Sequence, residues 1–151
     1  MDTGNRTELR NPEGLLRENE RLDDLQRSGL RIIQDPDGNR FSTDAVLLSS
    51  FCKAKKRDRV VDLGTGTGIL PLLIWAKWKP ASITGLEVDQ RTADMAGRSV
   101  RLNGLEGSIE IIRGDLKDLP AQMRRAWYTL VVSNPPYIKA DCGMKSQSDA
   151  R

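Results

Sequence analysis

The sequence predicts an α/β fold, a doubly wound parallel sheet, on three observations. Short apolar runs at 60–63, 82–87, 109–112 and 128–133 are spaced as in successive βαβ units. The first run passes straight into Gly64-Thr65-Gly66-Thr67-Gly68, a glycine turn placed where a strand hands over to a helix. Helix punctuation agrees: Pro71 falls in the first turn of one helical segment, where its missing N–H is harmless, and Gly104 stops the next.

Taken in order, residues 1–19 are polar, broken by Gly and Pro and without a period, which predicts a flexible arm. Leu30 to Gln34 reads as a short strand, and Asp35-Pro36-Asp37-Gly38-Asn39-Arg40 as a tight turn returning to Phe41, giving a β-hairpin. Ser42, Thr43 and Asp44 are N-cap candidates for an apolar helix through Ala45-Val46-Leu47-Leu48 toward Phe51. The core is then predicted as strand 60–63, helix 69–79, strand 82–87, helix 90–103, strand 109–112 and strand 128–133. Residues 139–151 form a polar tail with no strand pattern.

Composition excludes several functions. The 151 residues carry 24 Lys and Arg against 21 Asp and Glu, a net charge of +3, with 38% hydrophobic residues, enough for a core. No signal peptide or membrane-spanning run is present, so a soluble, cytoplasmic protein with no membrane partner is expected. There is no histidine, and Cys52 and Cys142 fit no metal or redox spacing, so zinc enzymes and histidine-dependent hydrolases are poor candidates and no metal is expected. The cluster Lys53, Lys55, Lys56, Arg57 and Arg59 faces only Asp58 and is a candidate for phosphate contacts, though such a run is more often a solvated surface.

The glycine loop narrows the ligand. A dinucleotide loop would want its third glycine at position 69, which is Ile69, and a P-loop would need a Gly-Lys-Ser/Thr ending that is missing. Glu87 ends the second core strand 23 residues beyond Gly64, near the offset at which an acid meets a ribose diol in nucleotide folds. The stretch from Asp62 to Gly68 resembles the D-x-G-x-G-x-G pattern of class I S-adenosylmethionine-dependent methyltransferases, whose fold is a Rossmann-like sheet. That resemblance implies S-adenosyl-L-methionine as cofactor, held by Asp62, Gly64, Thr65, Gly66, Gly68, Glu87 and Val88. It also implies that Asp115 accepts from the adenine amine, with Leu116 and Asn134 completing the set. The plain alternatives are a solvated strand-end charge at Glu87 and a capped turn at Asp115.

The last strand ends in Asn134-Pro135-Pro136-Tyr137, which matches the N-P-P-Y signature of methyltransferases acting on planar amino groups of adenine, cytosine or glutamine. Such a nitrogen has a delocalised lone pair and attacks poorly. The Asn134 side-chain oxygen and the Pro135 carbonyl can each accept one N–H and stabilise the charge that builds during attack, while Tyr137 offers a face for stacking a flipped base. Asn134, Pro135 and Tyr137 are therefore the candidate catalytic residues.

The residues before the loop, Glu20-Arg21-Leu22-Asp23-Asp24-Leu25, 30–34 and Arg40 to Leu48, resemble the bacterial tRNA (adenine-N6) methyltransferase family acting on valine tRNA. The resemblance implies tRNA as partner and a segment around 41–48 folding over the cofactor, with Thr43 and Asp44 as weaker site candidates. It divides the chain into the arm at 1–19, a hairpin and helix at 20–57, a partial methyltransferase core at 58–138 and the tail at 139–151. Against the seven-stranded sheet of that class, four parallel strands are expected here, so the chain reads as truncated at its C-terminus. A release-factor glutamine methyltransferase and a non-catalytic remnant binding cofactor or tRNA are the alternatives.

Overall fold

The computed structural model describes residues 14–37 and 43–136. Two strands, β1 (Arg21–Asp24) and β2 (Arg31–Gln34), precede helix α1 (Thr43–Phe51). The core is built from β3 (Arg59–Leu63), α2 (Ile69–Trp78), β4 (Ser82–Glu87), α3 (Gln90–Leu102), β5 (Ile109–Arg113) and β6 (Leu130–Val132). The four core strands lie in the order β5-β4-β3-β6 and pair in parallel throughout. The chain steps outward from β3 to β5 and crosses back to β6 on the other side of β3. The β3/β6 border is thus the switch point, the place at whose carboxyl end open α/β sheets bind their ligands.

Burial explains the elements. In α2 every residue from Ile69 to Ile74 is buried, because this helix lies in the main apolar cluster between the sheet and α1. Helix α3 is amphipathic, and the Asp89 carboxylate caps it by accepting the Thr92 N–H at 2.7 Å. That bond holds the Asp89 carboxyl below its usual range.

The hairpin has a partner that the sequence did not predict. β2 pairs antiparallel with the strand before it, Arg21↔Gln34 through Asp24↔Arg31, while the expected return through Phe41 lies outside the described residues. The turn at 25–30 is made by left-handed residues, Gln26 at φ 50°, Ser28 at 54° and Gly29 at 67°. β1 carries three charged residues in four, so it gives little apolar signal. Asp35 does accept the Asp37 N–H, at 3.0 Å, but 38–42 lie outside the described residues. The predicted strand 128–133 pairs only over 130–132, since Thr129 turns its hydroxyl to Asp58 at 3.0 Å and accepts the Arg59 N–H at 2.9 Å.

Of the arm at 1–19, the described part from residue 14 is tied down. Leu15 and Leu16 pack with Ile33, Met95 and Leu102. The guanidinium of Arg98 on α3 grips Glu20 with two bonds of 2.6 Å, and also reaches the Leu15 carbonyl at 2.5 Å and Asp94 at 2.8 Å. The side chains of Arg98 and Glu20 are 5% and 2% exposed, and Arg98 holds the Glu20 carboxyl below its usual range. Arg98→Met strands that carboxylate. It is expected to cost about 3 kcal/mol in urea unfolding, with Glu20→Gln in the same chain recovering much of the loss.

Candidate functional site

Every described site residue expected from the sequence lies at or next to the carboxyl end of a core strand, Thr43 and Asp44 excepted. Asp62 is the last-but-one residue of β3, Glu87 ends β4, Asp115 comes just after β5 and Asn134 just after β6. Between them runs the glycine loop, with Gly64, Gly66 and Gly68 at φ 76°, 60° and 88°. These left-handed values are open to glycine at little strain, and a Cβ added to Gly64 or Gly66 would meet no atom within 4 Å, so both face open space.

The end of β4 holds the loop. Gly64 and Thr65 both donate their N–H to the Leu86 carbonyl at 2.9 Å, and Gly66 donates to Glu87 Oε2 at 2.8 Å. The other oxygen of Glu87 accepts the Asp89 N–H at 3.0 Å, and Gly68 donates to the Thr65 carbonyl at 3.1 Å. Four loop N–H groups are thereby used within the chain and are not directed at a phosphate. Gly85 makes the arrangement fit, because a Cβ there would come within 2.9 Å of the Thr65 side chain.

Asp62 is 0% exposed, and neither of its carboxylate oxygens has a hydrogen-bond partner. Burial pushes its pKa up to about 6. The Thr65 hydroxyl, near but without hydrogen-bond geometry, pulls the other way, and the Glu87 charge adds to the rise. An unsatisfied acid behind a loop of glycines fits a cationic or donor-bearing ligand group and repels an anion.

On the β5 side, Asp115 Oδ1 accepts the Lys117 N–H at 2.9 Å, the capped turn that was the plain alternative, and the residue itself is exposed. Val88 and Leu116 are 60% and 52% exposed, two apolar side chains beside the two acids. On the β6 side, Ser133 donates its hydroxyl to the Leu63 carbonyl at 2.8 Å. This bond, missed in the sequence, fixes the start of the Asn-Pro-Pro segment against the glycine loop. Asn134 is half-buried, Pro135 and Pro136 are exposed, and Tyr137 lies outside the described residues. Thr43 and Asp44 open α1 and are both exposed.

The basic cluster lies elsewhere. It leads into the amino end of β3, about 16 Å along a five-residue strand from the site. Arg59 is occupied there, donating to the Trp127 carbonyl at 2.7 Å and stacking on its ring at 4.3 Å. Among the described residues no group of three potential metal ligands occurs, and no helix is long and apolar enough to cross a membrane.

The profile of a family described as "Methyltransferase small domain" matches residues 40–147. Among curated relatives, the tRNA1(Val) (adenine(37)-N6)-methyltransferase of Pedobacter heparinus is 30% identical over 103 residues, 68% of this chain and 42% of the relative. The protein of that name in Bacteroides fragilis is 32% identical over 99 residues, 66% of this chain and 41% of the relative. The chain thus spans less than half the length of these relatives. Among solved structures, Trm5 of Methanocaldococcus jannaschii in complex with adenosine superposes with a TM-score of 0.61 at 21% identity, over 79% of this chain and 36% of that one. TYW2 of P. horikoshii in complex with MeSAdo does so at 0.58 and 23%, over 69% and 39%. At these identities the likeness is one of fold.

Because the folded-state pKa of Asp62 is raised from 3.8 to about 6, its protonated form stabilises the free protein. That contribution is whole below pH 4 and is lost as pH rises through 6. Asp62→Asn, which cannot ionise, is expected to exceed the native protein in stability at pH 7 by up to about 3 kcal/mol. The advantage should vanish at pH 4, as denaturant unfolding at the two pH values would record.

Proposed function

We propose, for a chain that belongs to the methyltransferase small domain family, the cofactor-binding part of an enzyme that methylates adenine N6 in tRNA with S-adenosyl-L-methionine. The observation that carries the reading is the ring of acceptors at the carboxyl ends of β3, β4 and β5, facing an Asn-Pro-Pro segment at the end of β6. The names of the curated relatives support the substrate, tRNA, and the adenine amine as the acceptor. A tRNA substrate in turn favours the cytoplasm as the place of action.

The residues present fit the cofactor. In this reading Asp62, buried and unpartnered, accepts from the methionine ammonium, and Glu87 accepts from the ribose hydroxyls while keeping its bonds to Gly66 and Asp89. Asp115 accepts from the adenine amine through its oxygen not bound to Lys117. Val88 and Leu116 flank the ring, and Gly64, Thr65, Gly66 and Gly68 allow the ligand close to the backbone. When bound, the cofactor supplies a methyl group made electrophilic by its sulfonium.

The chain's own residues prepare the nucleophile. Asn134 and the Pro135 carbonyl accept the two amino N–H bonds of the target base, which concentrates density on nitrogen and steadies the positive charge that develops there. Pro135 and Pro136 limit the backbone freedom of that carbonyl, and the Ser133 bond to Leu63 fixes the segment's root. Tyr137 stacks on the base. No histidine exists in the chain to take the proton, so it leaves through these acceptors to water.

Asn134→Ala is expected to lower methyl transfer by about 100-fold or more while leaving S-adenosylhomocysteine affinity within about twofold of the native value. Mass spectrometry of tRNA nucleosides, with calorimetry of the same variant, checks both halves. Loss of cofactor binding in step with activity would remove Asn134 from the nucleophile's side. Methyl groups found on a glutamine of a release-factor peptide, and not on adenine, would replace the substrate.

A further inference from the structure

Besides Asp62 and Thr65, one other buried side chain is orphaned among the described residues, on an element outside the four-stranded sheet. Gln34 ends β2, is 1% exposed, and has no hydrogen-bond partner at either Oε1 or Nε2. A buried carboxamide with both ends unsatisfied is costly, so a missing partner is the first explanation to seek.

Its position is set by the strand's path. β2 climbs α3 from the C-terminal end: Arg31 donates its N–H to Asn103 Oδ1 and Ile33 to Ser99 Oγ, both at 2.9 Å, and Asp35 meets Arg91 at 2.8 Å. Gln34 therefore falls between the levels of Ser99 and Arg91, the level of Ala96. Ala96 is also the residue that the start of α2 packs against, since a Cβ on Gly68 would lie 3.3 Å from its Cβ. Strand alternation sets Gln34 on the face of Leu30 and Ile32, which share the main apolar cluster with Ile69 and Leu70 of α2, and off the face of Ile33, which clusters with Met95 and Leu102.

The site is short of free donors. The acids Asp62, Glu87 and Asp115 accept, and the N–H groups of Gly64, Thr65, Gly66 and Gly68 are engaged within the chain. The methionine end of the cofactor carries a carboxylate as well as an ammonium, and among the described residues the buried side chains with an unengaged donor are Thr65, whose hydroxyl lies beside Asp62, and Gln34. We propose that Gln34 is a further cofactor-binding residue whose Nε2 donates to that carboxylate, with Oε1 free to accept from the neighbouring ammonium. This rests on the methyl-donor reading and adds the hairpin to the binding site.

The test compares two ligands in titration calorimetry of the full chain: S-adenosylhomocysteine, and 5′-methylthioadenosine, which lacks the amino-acid end. Gln34→Met is expected to weaken S-adenosylhomocysteine by about tenfold or more, the scale of one hydrogen bond to a charged group. Its affinity for 5′-methylthioadenosine should be unchanged, and its melting temperature without ligand equal to the native value or higher. Unchanged S-adenosylhomocysteine affinity, or equal loss for both ligands, overturns the assignment. Should Gln34→Met not fold, Gln34→Leu also lacks the donor and carries the same expectation for the two ligands. A native chain that binds neither ligand overturns the methyl-donor reading itself, and the native control alone separates that failure from the first.

Discussion

The carboxyl end of β4 is the point on which the site depends. Leu86 and Glu87 accept the N–H groups of Gly64, Thr65 and Gly66 in succession, and these bonds hold the chain in the left-handed turn that starts α2. One consequence is geometric: the loop is clamped to the neighbouring strand, so Asp62 below it is sealed from water. A second is chemical, because a glycine loop that spends its N–H groups inward presents acceptors where a phosphate cradle presents donors. The same turn shape thus serves opposite ligand charges, according to where its amides point.

Much of this was legible in the sequence because the signals are local. Strand, glycine turn and helix succeed one another within about twenty residues around Gly64, and the order of Asp62, Glu87, Asp115 and Asn134 along the chain places each near the end of a successive strand. Parallel pairing then brings them to one edge. The features that escaped the sequence depend on contacts between distant residues. Nothing in Arg21-Leu22-Asp23-Asp24 announces a strand, since its support comes from β2, itself held by Ser99 and Asn103, and from the Arg98 grip on Glu20, residues far along the chain. The Ser133 bond to Leu63 and the orphaned state of Gln34 are equally invisible without the fold.

Charge run and site also part company for a topological reason. The Lys53 to Arg59 cluster precedes β3, and in a parallel sheet the segment that enters a strand and the segment that leaves it sit at opposite ends. Arg59 and Arg124 flank Trp127 there, at 4.3 and 4.8 Å from its ring, and brace the amino ends of the strands. A polyanion bound to the cluster would reach the Asn-Pro-Pro segment only by spanning the length of the sheet. Proximity in sequence to the glycine loop therefore says little about proximity to the ligand.

The N-terminal hairpin is best understood through its attachment. A freestanding two-stranded hairpin is marginal in water, and β1 with β2 would be no exception. Here the pair is pinned along α3 by Asn103, Ser99 and the buried Arg98–Glu20 pair, and α1 lies on α2, so the segment forms a third layer over the two helices nearest the glycine loop. Such a layer adds apolar cover to α2, which is why the first six residues of α2 are all buried. It also brings the end of β2 to the level where α2 begins. The described residues on the two sides of residue 57 pack together, β2 on α3 and α1 on α2. The hairpin and the glycine loop thus rest on the same helix, β2 through Ser99 and Asn103 and the start of α2 against Ala96.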